Sequence, residues 1–394
     1  MEKEDRVYVQ LQRHLDRQAV GFPATRSKAE IRILKYIFTP RQAEIAAHLS
    51  YRFEPLETIF PRVRNLAKSP EDLSELLEGI QKNGGIRSRT KDGKKQYCNA
   101  PFVVGMYEMQ GGRLTTDFIN DVAEYTSDRK FAAAFLSAEL PQMRTIPIAA
   151  SISPQNRVST FDEVWALIRE AEPPFMVYSC ICRKRRSMEN EKCKVTAREE
   201  TCLGFGSMAE SSETCGMGRQ ITRDEAMSIL ELNQKEGLVP QPSNTEKAEF
   251  ICSCCGCCCG MLRMHQILPK PLDYWASNFH SVVDVDACDG CGSCEQACQV
   301  GAVTVPAESQ VAVVNLNRCI GCGLCVSSCK RRAISLQKKP IETRPPKTPD
   351  ELYEIIMAKK KGALGRWGVT GKLIFDAITT GQTHLLKSQG PAKT

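Results

Sequence analysis

The sequence predicts a multidomain α+β protein, and three observations carry that expectation. The chain has 394 residues, enough for two or three domains each with its own core. Its first hundred residues read as helix, helix, helix and hairpin. Its 20 cysteines lie, all but Cys98, between Cys180 and Cys329, which sets the C-terminal half apart. The expected division is residues 1–100, a helical connector over 101–160, a cysteine-rich α/β region over 161–280, a second cysteine-rich unit over 281–337, and a basic linker and helical tail over 338–394.

A hydrophobic content of 42% with 25% charged residues is that of an ordinary globular chain. No apolar run reaches the ~18–20 residues of a membrane span. The start, MEKEDRVYVQLQRH, is too charged for a secretory signal, so the expectation is a soluble cytoplasmic protein. A disulfide framework suits neither that compartment nor a chain this long. Cysteines bunched two residues apart are poor long-loop staples and good ligands, so metal binding leads. The formal charge of +7 counts each cysteine as neutral. Three four-iron clusters, each about −2 with its thiolates, would bring it to about +1. The basic balance is therefore weak evidence for nucleic acid.

Within 1–100, a helix is expected over Ala29–Phe38. Thr39 caps and Pro40 opens the next, over Arg41–Leu49 with Ile45, Ala46 and Leu49 inward. Ser69-Pro70-Glu71-Asp72 starts a third, carrying Leu73, Leu76, Leu77 and Ile80 and ending at Gly84-Gly85. Ile86–Thr90 and Lys94–Cys98 flank Asp92-Gly93, a hairpin signal. This order resembles the winged-helix fold, with Arg87, Arg89, Lys91, Lys94 and Lys95 as a basic wing. The resemblance implies DNA binding or protein docking. Pro61 would break one recognition helix over Pro55–Asn65, and docking is the favoured reading.

The connector reads as helices over Thr116–Tyr125 and Arg129–Glu139. A capping box from Thr160 to Glu163 is expected to open a helix with Val164, Leu167 and Ile168 on one face. Phe175–Ser179 reads as a buried strand ending at Cys180. Cys180, Cys182, Cys193 and Cys202 form C-x-C-x10-C-x8-C, suited to a third 4Fe–4S cluster, with a zinc site or reduced structural cysteines as alternatives. Arg183 to Arg186 would place positive charge beside it or form a solvated basic face. Thr222 to Glu225 opens another helix, ended by Gly237. Then come Cys252, Cys254, Cys255, Cys257, Cys258 and Cys259, too many thiols in too short a chain for one cubane. Some would complete a cluster and the rest be packing or redox-active thiols. Cys98 and Cys215 read as small buried hydrophobes, and the five histidines show no paired metal spacing. No nucleotide loop, nucleophile elbow or paired-carboxylate site is visible.

In 281–337 the motif C-x2-C-x2-C-x3-C occurs twice, 31 residues apart, as Cys288, Cys291, Cys294, Cys298 and Cys319, Cys322, Cys325, Cys329. Three cysteines two residues apart wrap three corners of a cubane, and the fourth reaches the neighbouring cluster. One cluster would take Cys288, Cys291, Cys294 and Cys329, and the other Cys319, Cys322, Cys325 and Cys298. Glycines at 290, 292, 321 and 323 suit loops curling around an inorganic core. Ala302–Val305 and Val311–Leu316 read as short strands. The segment resembles the bacterial two-cluster ferredoxin module, with Gln299 and Lys330 where that family usually has proline. A pair of zinc sites is the alternative. From Tyr178 to Leu336, the order CxCR, CLGFG, CxCCxCCC and the doubled motif resembles a multicluster iron–sulfur family of anaerobic bacteria.

After the Lys- and Pro-rich linker, a helix over Asp350–Lys361 and a segment over Gly362–Gly381 with Trp367, Leu373, Ile374 and Phe375 form a basic amphipathic tail. It would pack on the protein, dock a partner or lie on an anionic membrane. These readings point to an iron–sulfur protein passing single electrons between redox partners, as a carrier or electron-transfer subunit more than a stand-alone enzyme. Two rivals stand: a redox-sensing DNA-binding regulator, and an oxidoreductase with its own cluster site in the CxCCxCCC region.

Overall fold

The computed structural model describes residues 3–152 and 158–383. The chain opens with a helix, Lys3–Arg17, that the sequence reading passed over. Among its described side chains, only Tyr8, Leu11, Gln12 and Leu15 are buried, a narrow stripe on an otherwise polar helix. Helices Ala29–Ile37, Pro40–Ala46 and Pro70–Lys82 follow. Thr39 and Gln42 form a reciprocal capping box, and the Ser69 hydroxyl accepts from the Asp72 amide, which holds both helix starts. Pro61 sits in a short 3-10 turn, Phe60–Arg62, outside all three helices. Strand Lys94–Asn99 runs between Ile86–Lys91 and Glu54–Pro55, antiparallel to both. The hairpin turns at Asp92 and Gly93, both at positive φ (51° and 72°), as a two-residue turn between twisted strands requires. Ile33, Leu34, Ile37, Ile45, Leu49, Leu73, Leu77, Ile80 and Ile86 fill the core.

The middle region is a five-stranded antiparallel sheet, ordered Arg219–Ile221, Phe175–Ser179, Glu200–Phe205, Phe250–Cys254, Val239–Pro242. Its two faces bury different chemistry. Val177, Leu203, Phe205 and Ile251 pack under helices Val164–Glu170 and Arg223–Lys235. Met176, Tyr178 and Phe250 pack with Met208 and Ala209 of helix Gly206–Thr214. Gly204 is required here, because a Cβ on it would collide with the Tyr178 hydroxyl. The capping box expected at Thr160 is not formed: Thr160–Asp162 is a 3-10 turn, and the helix starts at Val164 without a side-chain cap. Asp162 is held elsewhere, buried with the Arg144 guanidinium at 3.4 Å and accepting from Asn278 Nδ2 at 2.8 Å. A buried carboxylate needs those partners more than a helix start needs a cap.

The C-terminal unit pairs Phe279–Val283 with Ile334–Lys338 and Val303–Thr304 with Val313–Val314, both antiparallel. Two short helices, Ser293–Ala297 and Leu324–Ser328, lie against each other. The tail returns to the N-terminal unit. Helix Pro349–Ala358 buries Leu352 and Ile356 with Ala19. Helix Ala363–Thr379 sets Val369 and Leu373 against Phe135 and Leu136 and leaves Leu364, Trp367, Phe375 and Ile378 exposed.

The N-terminal hairpin docks on the middle region through a buried ion pair. Arg87 is 3% exposed and its Nη2 donates to both Glu249 oxygens at 2.9 and 3.0 Å. Ser207 also donates to Glu249. Beside them the Ser88 amide donates to Ser211 Oγ at 3.1 Å, and that hydroxyl donates back to Ser88 O at 2.8 Å. Removing one member strands a buried charge. Glu249→Ala is expected to cost about 3–5 kcal/mol of stability, read by denaturant unfolding. The double change Arg87→Met with Glu249→Leu should recover most of that loss.

Candidate metal centres

The C-terminal unit has an internal two-fold that follows the 31-residue offset. Cys288, Cys291, Cys294 and Cys329 line one void with Gly290, Ala312 and Ile334. Around it the Ala312 amide donates to Cys288 Sγ at 3.4 Å and the Ala333 amide to Cys329 Sγ at 3.3 Å. In the other half, the Ser281 amide donates to Cys319 Sγ at 3.4 Å and the Ala302 amide to Cys298 Sγ at 3.1 Å. Ser281 and Ala312, like Ala302 and Ala333, are equivalent positions of the repeat. Amides aimed at sulfur are what an anionic thiolate-held group needs. The glycines obey the same symmetry. At Gly290 (φ 69°) a Cβ would strike Gln310 O, and at Gly321 (φ 65°) Phe279 O. Gly292 and Gly323, at φ 75° and 78°, begin the two short helices. The donor set therefore fits two four-iron groups, and the Cys288 group encloses a void.

The halves differ in exposure. Cys291 is exposed, whereas Cys319 and Cys325 are buried. Burial pushes the Cys325 thiol up to about 12 against a lowering contact from Ser281, whose Oγ lies 3.1 Å from the sulfur. Burial likewise drives Cys322 well above the usual thiol range, with Cys298 and Cys319 among its charged neighbours. Sulfurs packed so closely ionise together only with a cation among them.

In the middle region ten of the eleven thiols, all but Cys215, divide in a way the spacing did not suggest. Cys193 lies away from Cys180, Cys182 and Cys202. It joins Cys255, Cys257 and Cys258, all four sulfurs being within 4.8 Å of one another. The other six form a closed ring. Cys180 contacts Cys182 and Cys202, Cys202 and Cys254 each contact Cys252, and Cys259 joins Cys254 to Cys182. Strand register builds one side of it: Leu203 pairs with Ile251, which sets Cys202 beside Cys252. Cys180, Cys254 and Cys259 of the ring are buried and Cys182, Cys202 and Cys252 half-buried, and the six thiols act on one another. Contacts from Cys182 and Cys202, helped by Arg183, hold Cys180 well below the usual thiol range despite burial. The contact with Cys180 raises Cys182, and that with Cys202 raises Cys252.

Of the four basic residues after Cys182, Arg183 alone is buried. It donates to Thr201 Oγ1 and to Ser253 O, and stands 4.0 Å from Cys255 Sγ, between the two thiol groups. Lys184 donates to Gly111 O, and Arg185 and Arg186 pair with Glu189. Cys98 is buried beside Arg87 and Cys215 is half-buried, its thiol donating to Ser212 O at 3.3 Å.

The ring abuts the ferredoxin-like unit. Cys252, Cys254 and Cys259 share one apolar cluster with Cys298, Cys319, Cys322, Ile148 and Ile320. Gln299, standing where the related modules have proline, accepts from the Gly256 amide at 2.8 Å, and its own carbonyl accepts from Gln266 Nε2 at 2.9 Å. The Gln299 departure is thus a docking contact between the two cysteine-rich units.

The architecture and donor set define an iron–sulfur protein of mixed helix and sheet. Within it, residues 287–333 match the 4Fe-4S dicluster domain, which makes this unit a ferredoxin-like iron–sulfur domain. No curated protein and no solved structure matches the chain. Among the described residues, no helix is long and apolar enough to cross a membrane.

A Cβ on Gly256 would collide with the Gln299 carbonyl. Gly256→Ala should therefore separate the two units and cost about 1–3 kcal/mol. Gln299→Ala, which removes only a hydrogen bond, should cost about 1 kcal/mol. Thermal unfolding of the two variants would rank them.

Proposed function

We propose that this protein passes single electrons between redox partners, as a carrier or as the electron-transfer subunit of an oxidoreductase system. The observation that carries the reading is the doubled ligand set: eight cysteines in two symmetric groups, each with amides aimed at its sulfurs. When bound, two four-iron clusters would each take up and release one electron. The protein's part is to hold them, set the charge around them and choose which edges meet a partner. Cys291 supplies an exposed edge, with Lys330, Arg331 and Arg332 exposed nearby and Arg331 paired to Asp289 at 3.3 Å. A partner with an acidic face suits that edge. The buried group at Cys298, Cys319, Cys322 and Cys325 lies toward the thiol ring, which we assign to a third iron–sulfur centre. Donor edge, buried group and ring then form a series.

A second reading draws on the ring itself. Six thiols exceed the four that one cubane takes, which favours a catalytic cluster site there. The regulator reading has less support. In the winged-helix-like unit, Arg87 faces Glu249 in the interior, Arg89 pairs with Asp350, Lys94 with Glu57 and Lys95 with Glu78. A wing with four of its five cations engaged within the protein has little left for phosphates.

Anaerobic protein reduced stepwise with dithionite should show low-temperature EPR signals of reduced four-iron clusters, with spin coupling between close neighbours. Cys298→Ser should remove the buried group's signal and leave that of the Cys288 group. Protein that takes up no electrons, or whose signals are untouched by Cys298→Ser, would falsify the assignment.

A further inference from the structure

We propose that Cys193, Cys255, Cys257 and Cys258 hold a single zinc ion, a site separate from the iron–sulfur centres. Geometry separates the two kinds of site. Zinc bound to four thiolates sits about 2.3 Å from each sulfur, so neighbouring sulfurs stand about 3.8 Å apart along a tetrahedron edge. Here Cys193 Sγ is 3.6 Å from Cys255 Sγ and 3.8 Å from Cys257 Sγ. Cys257 Sγ is 3.6 Å from Cys255 Sγ and 3.7 Å from Cys258 Sγ. A four-iron cubane cannot fit inside those edges, because each thiolate there binds its own iron at an outward corner. Among the described residues this is the one group of ligand atoms drawn within 4.8 Å of one another.

The surroundings suit a closed, structural site. The Lys194 amide donates to Cys257 Sγ at 3.4 Å. The amides of Val195 and Thr196 bond Cys193, and the Arg183 guanidinium faces Cys255. Such donors share out thiolate charge. Four protein sulfurs complete the tetrahedron and leave no open position. A closed tetrahedron of four thiolates suits zinc, which also stands above ferrous iron in the order of divalent affinities.

The site also supplies something the fold otherwise lacks. Residues 190–199 form a polar loop between helix Ile181–Met188 and strand Glu200–Phe205, with little apolar surface to bury. An ion shared by Cys193 and the Cys255–Cys258 turn pins that loop. The same turn carries Cys254 and Cys259 of the ring at its two ends, so the ion fixes the span between two ring thiols.

The test is metal analysis and zinc-edge X-ray absorption on the full chain purified anaerobically, with the double variant Cys193→Ser/Cys257→Ser as comparison. Neither residue belongs to the ring or to the ferredoxin-like unit. The expected result is about one zinc per chain, with four sulfur neighbours at about 2.3 Å. In the variant zinc should fall at least tenfold, while the iron content and the EPR signals of the ferredoxin-like unit persist. A native chain without zinc overturns the proposal, as does zinc bound to oxygen or nitrogen. So does a variant that loses iron, whether one ion or a whole cluster. Should the variant be insoluble, the absorption spectrum of the native protein decides alone. Loss of the ferredoxin signals in the native chain would instead count against the electron-transfer reading and leave the zinc result standing.

Discussion

Crowded, buried sulfur is the constraint on which this structure turns. Nineteen thiols gather between Cys180 and Cys329, and those of the ring, with Cys322 and Cys325, are pushed far from their usual ionisation by burial and by neighbouring sulfurs. Unpaired thiolates packed this closely in the interior are costly. In the reading proposed above, cations at the centre of each group resolve the conflict. Much of the remaining architecture can be understood as bringing distant cysteines to a common centre: Cys329 to Cys288, Cys193 to Cys257, and Cys202 to Cys252.

Placement gives the groups an order. One face of the ferredoxin-like unit exposes Cys291. Its other half, Ile320 included, is buried against Ile148, in the same apolar cluster as ring members Cys252, Cys254 and Cys259. The contact is fixed by polar geometry, since Gly256 must lack a side chain for the Gln299 carbonyl to approach. Dry, fixed contact between centres keeps their separation constant, as single-electron transfer between them demands. The N-terminal unit reaches this core through Arg87 and Glu249, and it contributes no cysteine to any of the groups.

What could be read in advance followed the range of the interactions. The doubled C-x2-C-x2-C-x3-C motif is local, so its loops, glycines and helices were legible, and the Asp92-Gly93 hairpin was legible for the same reason. The partition of the middle thiols was not. Whether Cys193 joins Cys180 or Cys257 depends on a loop folding back across the sheet, and the Cys202–Cys252 contact depends on strand register. The helix start at Val164 was misread because Asp162 answers to Arg144 and Asn278, one of them more than a hundred residues away. Arg87 looked like a solvent-facing wing residue because nothing local announces that helix Gly206–Thr214 covers that strand. Helix Lys3–Arg17 was passed over because its apolar stripe is narrow.

Anomalous diffraction at the iron edge, from crystals grown without oxygen, tests the central claim most directly. The account predicts iron peaks at two places in the ferredoxin-like unit, one enclosed by Cys288, Cys291, Cys294 and Cys329 and the other by Cys298, Cys319, Cys322 and Cys325. Peaks that appear there only at the zinc edge, or no peaks at all, would contradict it.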